Sequence, residues 1–241
     1  MKVFLAGTNC LKSNIVDFKK IDYILESFYT IRDWQIPLIK KCKMFLLDSG
    51  AFTFMNSYKG KVDWDKYIER YAKFINDNNI EYFFELDIDS LVGLSEVERL
   101  RAKLENLTGK QCIPVWHKSR GIEYWKKITK EYKYVAIGGI VTKEISKKDY
   151  KNFELMLEIA KRNLCNVHGL GFTNTILLKK YKFFSVDSTS WTSGQRFGSI
   201  AIFCKNHIKT CKFDKMRANK KIELHNLNEW IKFQKYADKY L

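Results

Sequence analysis

The stretch Phe45-Leu46-Leu47-Asp48-Ser49-Gly50-Ala51-Phe52 is an apolar run stopped by an aspartate and small residues. A second run of the same kind is Phe183-Phe184-Ser185-Val186-Asp187-Ser188-Thr189-Ser190-Trp191. Each reads as a strand buried on both faces, with its aspartate at the C-terminal end. In a parallel α/β barrel those ends form the active face. Two carboxylates delivered there are placed to serve as nucleophile and acid/base.

Working outward, strand-like runs recur at Lys2–Ala6, Met44–Asp48, Tyr82–Asp87, Cys112–Trp116, Tyr134–Gly138, Asn166–Leu170, Phe183–Asp187 and Ser199–Phe203. Helical patterns fall at Ile15–Ile31, Trp64–Asn76, Ser95–Leu107, Ile122–Glu131, Lys148–Arg162, Thr175–Lys180 and Leu227–Tyr240. Trp64, Tyr67, Ile68, Tyr71 and Phe74–Ile75 follow the spacing of an amphipathic helix. Ser95 with Glu98 forms a capping-box pattern, and Asn226 or Asn228 suits the cap of the last helix. Strands alternating with helices predict a (β/α)8 TIM barrel, as a single domain over residues 1–241. An open doubly wound sheet is the alternative, but no Gly-x-Gly-x-x-Gly follows the first strand. Residues 194–213 read as a hairpin, a barrel strand with a turn, or an insertion.

The chain has 241 residues, 46% of them hydrophobic and 15% aromatic, enough for a large core. It has only two prolines and no low-complexity stretch, which argues against extended disorder. No apolar run reaches the length of a membrane span. The N-terminal Met1-Lys2-Val3-Phe4-Leu5-Ala6-Gly7 reads as a strand, not as a signal peptide. Six scattered cysteines fit reduced thiols in a cytoplasmic protein rather than a disulfide framework. The formal net charge of +16 favours a polyanionic partner, nucleic acid foremost; a lysine-rich composition is the plainer source of such a charge.

A barrel would gather a polar set on one face: Asp48 and Ser49, Asp87 and Asp89, His117 and Lys118, the Gly138-Gly139 pair, His168 with the Gly169–Gly171 turn, and Asp187 with Ser188. Each has a purely structural alternative. An aspartate after a strand also caps helices, a histidine also satisfies core partners, and glycine pairs also permit tight turns. Functionally, the glycines suit close backbone approach to a planar ligand.

Several of these motifs resemble the guanine transglycosylases that act on tRNA. Asp48-Ser-Gly-Ala-Phe52 resembles their Asp-Ser-Gly-Gly-Phe signature, and Tyr134-Val-Ala-Ile-Gly-Gly-Ile140 their Ala-Ile-Gly-Gly-Leu strand. His168-Gly-Leu-Gly-Phe-Thr173 resembles their Met-Gly-Val-Gly-Thr turn, and Val186-Asp187-Ser188 their nucleophile segment. The resemblance implies a barrel that exchanges guanine for a 7-deazaguanine such as preQ0, with no cofactor required. It implies Asp187 as nucleophile at C1′ and Asp48 as acid/base. Asp87 would read the guanine edge, and Ser49, Gly50, His117, Gly138, Gly139, Ile140, His168 and Gly169 would line the base site.

Two departures stand out. The tRNA enzymes carry a Cys-x-Cys-x-x-Cys…His zinc site, whereas here only Cys204, His207, Cys211 and His225 offer ligands, at other spacings. The chain is also shorter. A short, basic, zinc-poor relative looks more like the DpdA-type 7-deazaguanine DNA transglycosylases of phage and bacteria. DNA is then the expected partner and tRNA the runner-up, with a homodimer or an accessory protein also open. Trp191, Arg196 and Phe197 would hold the extruded nucleotide or its neighbours, unless Trp191 packs the barrel mouth, and Lys118 and Arg120 would join the lysines and arginine of residues 205–221 on phosphates. Two readings of other classes stay open. One is a metal-dependent hydrolase using Asp48, Asp87, His117, His168 and Asp187, against which no His-x-His follows the first strand. The other is a nucleic-acid-binding barrel without catalysis.

Overall fold

The computed structural model describes residues 1–10, 20–50, 53, 62–212 and 220–241, without the side chains of residues 195, 196 and 220. Eight parallel strands form one sheet: β1 (Lys2–Ala6), β2 (Tyr23–Ser27), β3 (Met44–Asp48), β4 (Tyr82–Phe83), β5 (Val115–Trp116), β6 (Tyr134–Ile137), β7 (Asn166–Gly169) and β8 (Ser185–Ser188). Their order is β4-β3-β2-β1-β8-β7-β6-β5. A parallel bridge between Phe84 and Ile113 joins the two outer strands, and Ile113 N–H donates to Phe83 O at 2.8 Å. The sheet therefore curls round as a (β/α)8 barrel.

Alternation along the strands explains the apolar runs. Phe4, Ala6, Tyr23, Leu25, Leu46, Phe84, Ile113, Val115, Tyr134 and Ala136 pack together inside the barrel. The residues between them, such as Leu5, Ile24, Val135 and Val186, pack outward in a second core with the helices. The longer helices are α1 (Trp64–Asp77), α2 (Leu94–Thr108), α3 (Gly121–Glu131), α4 (Asn152–Arg162) and α5 (Lys220–Tyr240). Helix α1 buries Tyr67, Ile68, Tyr71, Ala72 and Ile75, the stripe its spacing predicts, and Asp63 caps it by accepting from Lys66 N. Lys148–Arg162 forms its helix only from Asn152, after a 3-10 turn, and Thr175–Lys180 keeps just the 3-10 turn Leu177–Lys179.

Two elements differ from the sequence expectation. The segment expected as helix Ile15–Ile31 contains β2, while residues 11–19 lie outside the described residues. Ile21, Ile24, Leu25 and Phe28 do have helical spacing, but a strand buried on both faces produces it too. Conversely, of the readings open for residues 194–213 the structure takes the hairpin, so Ser199–Phe203 is not a barrel strand. Strand β9 (Ser199–Cys204) pairs antiparallel with β10 (His207–Lys212) as a separate hairpin. Its two-residue turn places Lys205 and Asn206 at φ 48° and 64°, the left-handed pair such tight turns need.

Two expected caps also do different work. Helix α2 starts at Leu94 after Gly93, so Ser95 lies inside it, and Glu98 accepts from Arg101 and Lys127. Asn226 lies within α5, where its amide accepts from Ala201 N and donates to Ser199 O, clamping the hairpin.

Helix α5 also closes the bottom of the barrel. Gln234, fully buried, donates to Val3 O and Tyr23 O at 2.7 and 2.9 Å and accepts from Asp22 N at 2.8 Å. Gln234→Leu would strand three backbone groups. We expect a loss of about 3 kcal/mol in urea unfolding, and an unchanged midpoint would refute this role.

Candidate active site

The inward residues of each strand predict which side chains reach the barrel mouth. Two residues beyond Leu25, Leu46, Val115, Ala136 and Ser185 stand Ser27, Asp48, His117, Gly138 and Asp187. Five strands thus converge at the C-terminal end, where a parallel barrel keeps its active site.

Asp187, in β8, is nearly buried. Its Oδ1 accepts from Gly171 N at 2.6 Å and lies 3.2 Å from His168 Nε2. Gly171 sits at φ +67°, which turns its N–H toward the carboxylate and is easy only for glycine. Oδ2 has no hydrogen-bond partner among the described residues. One oxygen is anchored and the other is available, as suits a carboxylate nucleophile.

Asp48 ends β3, with Ser27 beside it in the strand register. Gly50 N donates to its Oδ2 at 3.0 Å. Burial pushes the Asp48 carboxyl up to about 6, against the Gly50 hydrogen bond, and the negative charges of Asp87 and Asp187 push the same way. Such a group holds and releases a proton near neutral pH, as an acid/base requires.

The expected base-lining residues divide. Asp87 and His117 do meet: His117 Nε2 lies 2.6 Å from Asp87 Oδ1, and its Nδ1 lies 2.8 Å from Glu144 Oε2. Burial works against a charged ring here, but the bonds and charges of Asp87 and Glu144 outweigh it and hold His117 up to about 9. The ring is therefore an imidazolium clasped by two carboxylates. Glu144, whose Oε1 accepts from Ser119 N, carried no local sequence signal.

The glycine pair serves this clasp rather than leaving room for a planar ligand. A Cβ on Gly138 would lie 2.8 Å from His117 Cε1, and one on Gly139 2.8 Å from Glu144 Oε2. Gly169 faces Phe172, Phe183 and Val186 on the helix side, away from the mouth. Ser49 has opposite parity to Asp48 and is fully buried, its carbonyl accepting from the Tyr67 hydroxyl. Gly50 acts through Asp48, and Ile140 packs against the outer core. His168 has no exposed surface, so it touches Asp187 and no ligand.

Asp89 and Arg120 form a second network. Arg120 Nε donates to Asp89 Oδ2 at 2.9 Å, and its Nη1 to Glu85 Oε1 at 3.0 Å. Arg101 reaches the other Glu85 oxygen at 3.2 Å. Arg120 is almost fully buried, so it is a structural cation and not a phosphate contact. A ligand atom each from Asp87, Asp89 and His117 lies within 4.8 Å of the others, a spacing compatible with a metal ion. His117 and Arg120 already neutralise those carboxylates, however, and His168, bonded inside the barrel, does not join them.

The other nucleic-acid and zinc expectations also change. Trp191 is fully buried and donates to Ala6 O at 2.9 Å, so its ring packs the core instead of stacking on a base. Lys118 is exposed but bonded to Asp149 at 2.8 Å. The side chain of Arg196 lies outside the described residues, while Phe197, Lys205, Lys209 and Lys212 are exposed. Cys204 and Cys211 stand four residues apart along the β9–β10 register, about 13 Å, too far for one zinc. His225 bonds to Ala201 O instead.

No family model matches the chain, and no curated protein matches it. Among solved structures it is similar to one from Coccidioides immitis described as a fructose-1,6-biphosphate aldolase. The two are 11% identical over 99% of this chain and 87% of that chain, with a TM-score of 0.52. A GH113 beta-1,4-mannanase is 13% identical over 70% of this chain and 71% of that chain, with a TM-score of 0.44. At such identities the likeness is one of fold, and the fold is a TIM barrel. No helix among the described residues is long and apolar enough to cross a membrane.

Proposed function

We propose that the chain is a base-exchange transglycosylase that replaces guanine in DNA by a 7-deazaguanine such as preQ0. The observation that carries this reading is the pair of unlike carboxylates at the barrel mouth. Asp187 is anchored through one oxygen with the other available, and Asp48 holds a proton up to about pH 6. Two such groups match a double displacement at a sugar carbon.

Asp187 Oδ2 attacks C1′ as the C1′–N9 bond breaks. The electron pair leaves with the base, and Asp48 supplies the proton that makes it neutral guanine. The incoming 7-deazaguanine then gives its N9 proton to the Asp48 carboxylate and attacks C1′. The ester bond to Asp187 breaks, its electrons return to the carboxylate, and the sugar configuration is retained. Asp87, with one oxygen taken by His117, offers the other to the N1–H and amino edge of the base. Attack from behind the base needs the nucleotide out of the stack. The net charge of +16 and the exposed hairpin lysines supply attraction for phosphates.

The test is release of labelled guanine from DNA and from tRNA run in parallel, with preQ0 as the incoming base. Release from DNA alone is the expected result. Release from tRNA alone moves the reading to the tRNA enzymes. Release from neither, with preQ0 and either nucleic acid present, refutes base exchange by this chain alone.

A further inference from the structure

We propose that Tyr134, Ser185 and His168 form a buried donor chain that positions Asp187 and favours its release as a carboxylate. The inference rests on the base-exchange reading above and deepens it. Around these residues the barrel interior carries apolar side chains such as Phe4, Leu46 and Val115. Three polar groups placed there cost free energy unless each finds a partner, and each does.

The chain crosses three neighbouring strands. The Tyr134 hydroxyl of β6 bonds the Ser185 hydroxyl of β8. Ser185 Oγ lies 2.6 Å from His168 Nδ1, and His168 Nε2 lies 3.2 Å from Asp187 Oδ1. His168 and Ser185 face each other in the β7–β8 register. The imidazole is wedged among Phe84, Phe4 and Tyr134, with ring centroids at 5.4, 6.0 and 6.4 Å. Its rotamer is thus set by packing before any substrate arrives.

The end of the chain sets its direction. An ionised Asp187 only accepts, so His168 Nε2 carries the proton. In the proposed chain the ring accepts at Nδ1 from Ser185, which accepts from Tyr134. Burial pushes the Tyr134 phenol upward, so it remains a donor. With Gly171 N–H, two donors converge on Oδ1, and the reactive Oδ2 is held by default.

These donors bind a carboxylate more strongly than an ester carbonyl. They therefore resist formation of the glycosyl ester and promote its breakdown, which keeps the covalent intermediate from becoming a trap. None of the three side chains touches substrate; they are positioning residues.

The test measures the ratio of covalent adduct to free enzyme at equilibrium with DNA and guanine, by denaturing gel. His168→Phe, which fills the ring slot without a donor, is expected to raise that ratio roughly ten- to a hundredfold, the worth of a hydrogen bond to a charged group. His168→Gln, which keeps a donor, should restore most of the difference. Tyr134→Phe should raise the ratio by a smaller factor and keeps the test open should His168→Phe not fold. An unchanged ratio in the folded variants overturns the proposal.

A second measurement needs no substrate. Nitrogen-15 NMR of the His168 ring should show the Nε2–H tautomer, altered in Asp187→Ala. A proton on Nδ1 instead overturns the chain whatever the activity. The Nε2–H form without any wild-type adduct, on DNA or tRNA, refutes base exchange and with it the function of the chain, while leaving its geometry standing.

Discussion

Asp187→Asn is expected to lower guanine release by at least about ten-thousandfold, as removal of a nucleophile does elsewhere. The substitution keeps the shape of the side chain and an oxygen for the Gly171 N–H, which now stands at 2.6 Å. It replaces the available Oδ2 by an amide nitrogen that cannot attack C1′. The wild type should form an adduct with DNA that survives denaturation, and the variant none. Thermal unfolding of the variant should stay close to wild type, because the neighbouring Gly171 and His168 keep partners. Full exchange by a folded Asp187→Asn protein would remove Asp187 from the chemistry, and with it the assignment of the barrel mouth.

Asp48→Asn should do two opposite things. Without its proton, departure and entry of the base both slow, by about a hundred- to ten-thousandfold for a positioned acid/base. The inflection near pH 6 expected in the wild-type rate profile should vanish with the group that causes it. Stability should move the other way. The folded protein holds the Asp48 proton more tightly than the unfolded chain, so the carboxyl costs nothing below the unfolded value of 3.8. Its cost grows as pH rises through the folded value of about 6 and is complete above it. A neutral asparagine avoids that cost, so the variant should be more stable than wild type at pH 7 by about 2 kcal/mol, reduced from the full linkage value because the group faces the solvent in part. At pH 3 the two should be alike. Equal stabilities at pH 7 would show that the protein does not strain this carboxylate. A protein that gains stability on losing a residue while losing activity is holding that residue for its chemistry.

The clasp around His117 shows why the mouth was only partly legible. Asp48, Asp87, His117 and Asp187 stood out because each follows an apolar run, and period-two alternation carries Asp48, His117 and Asp187 into the barrel. Glu144 follows no such run. It lies in a loop after β6 and reaches His117 only because the β5 and β6 ends are neighbours. The glycines were legible as places without room for a side chain, but not as to what fills the space. His168 read as a ligand-facing group or a satisfied core histidine, and the inward path of β7, which buries it beneath Asp187, decides for the second. Arg120 read as a phosphate contact, and Trp191, which follows the second aspartate, as a group that holds the extruded nucleotide or packs the barrel mouth. Their partners, Glu85, Asp89 and the Ala6 carbonyl, lie 31 to 185 positions away along the chain.

Local patterns in this chain determined the barrel class, most of its strands and helices, and the two aspartates that end β3 and β8. Those features follow from side-chain periodicity and burial, which neighbouring residues express on their own. Tertiary structure alone decided that residues 23–27 join the sheet and that 199–212 leave it. It also decided which polar groups meet at the mouth and which serve as internal partners. These outcomes depend on strand register and barrel closure, which bring together residues as far apart as Trp191 and Ala6, 185 positions, and no local pattern encodes such a pairing.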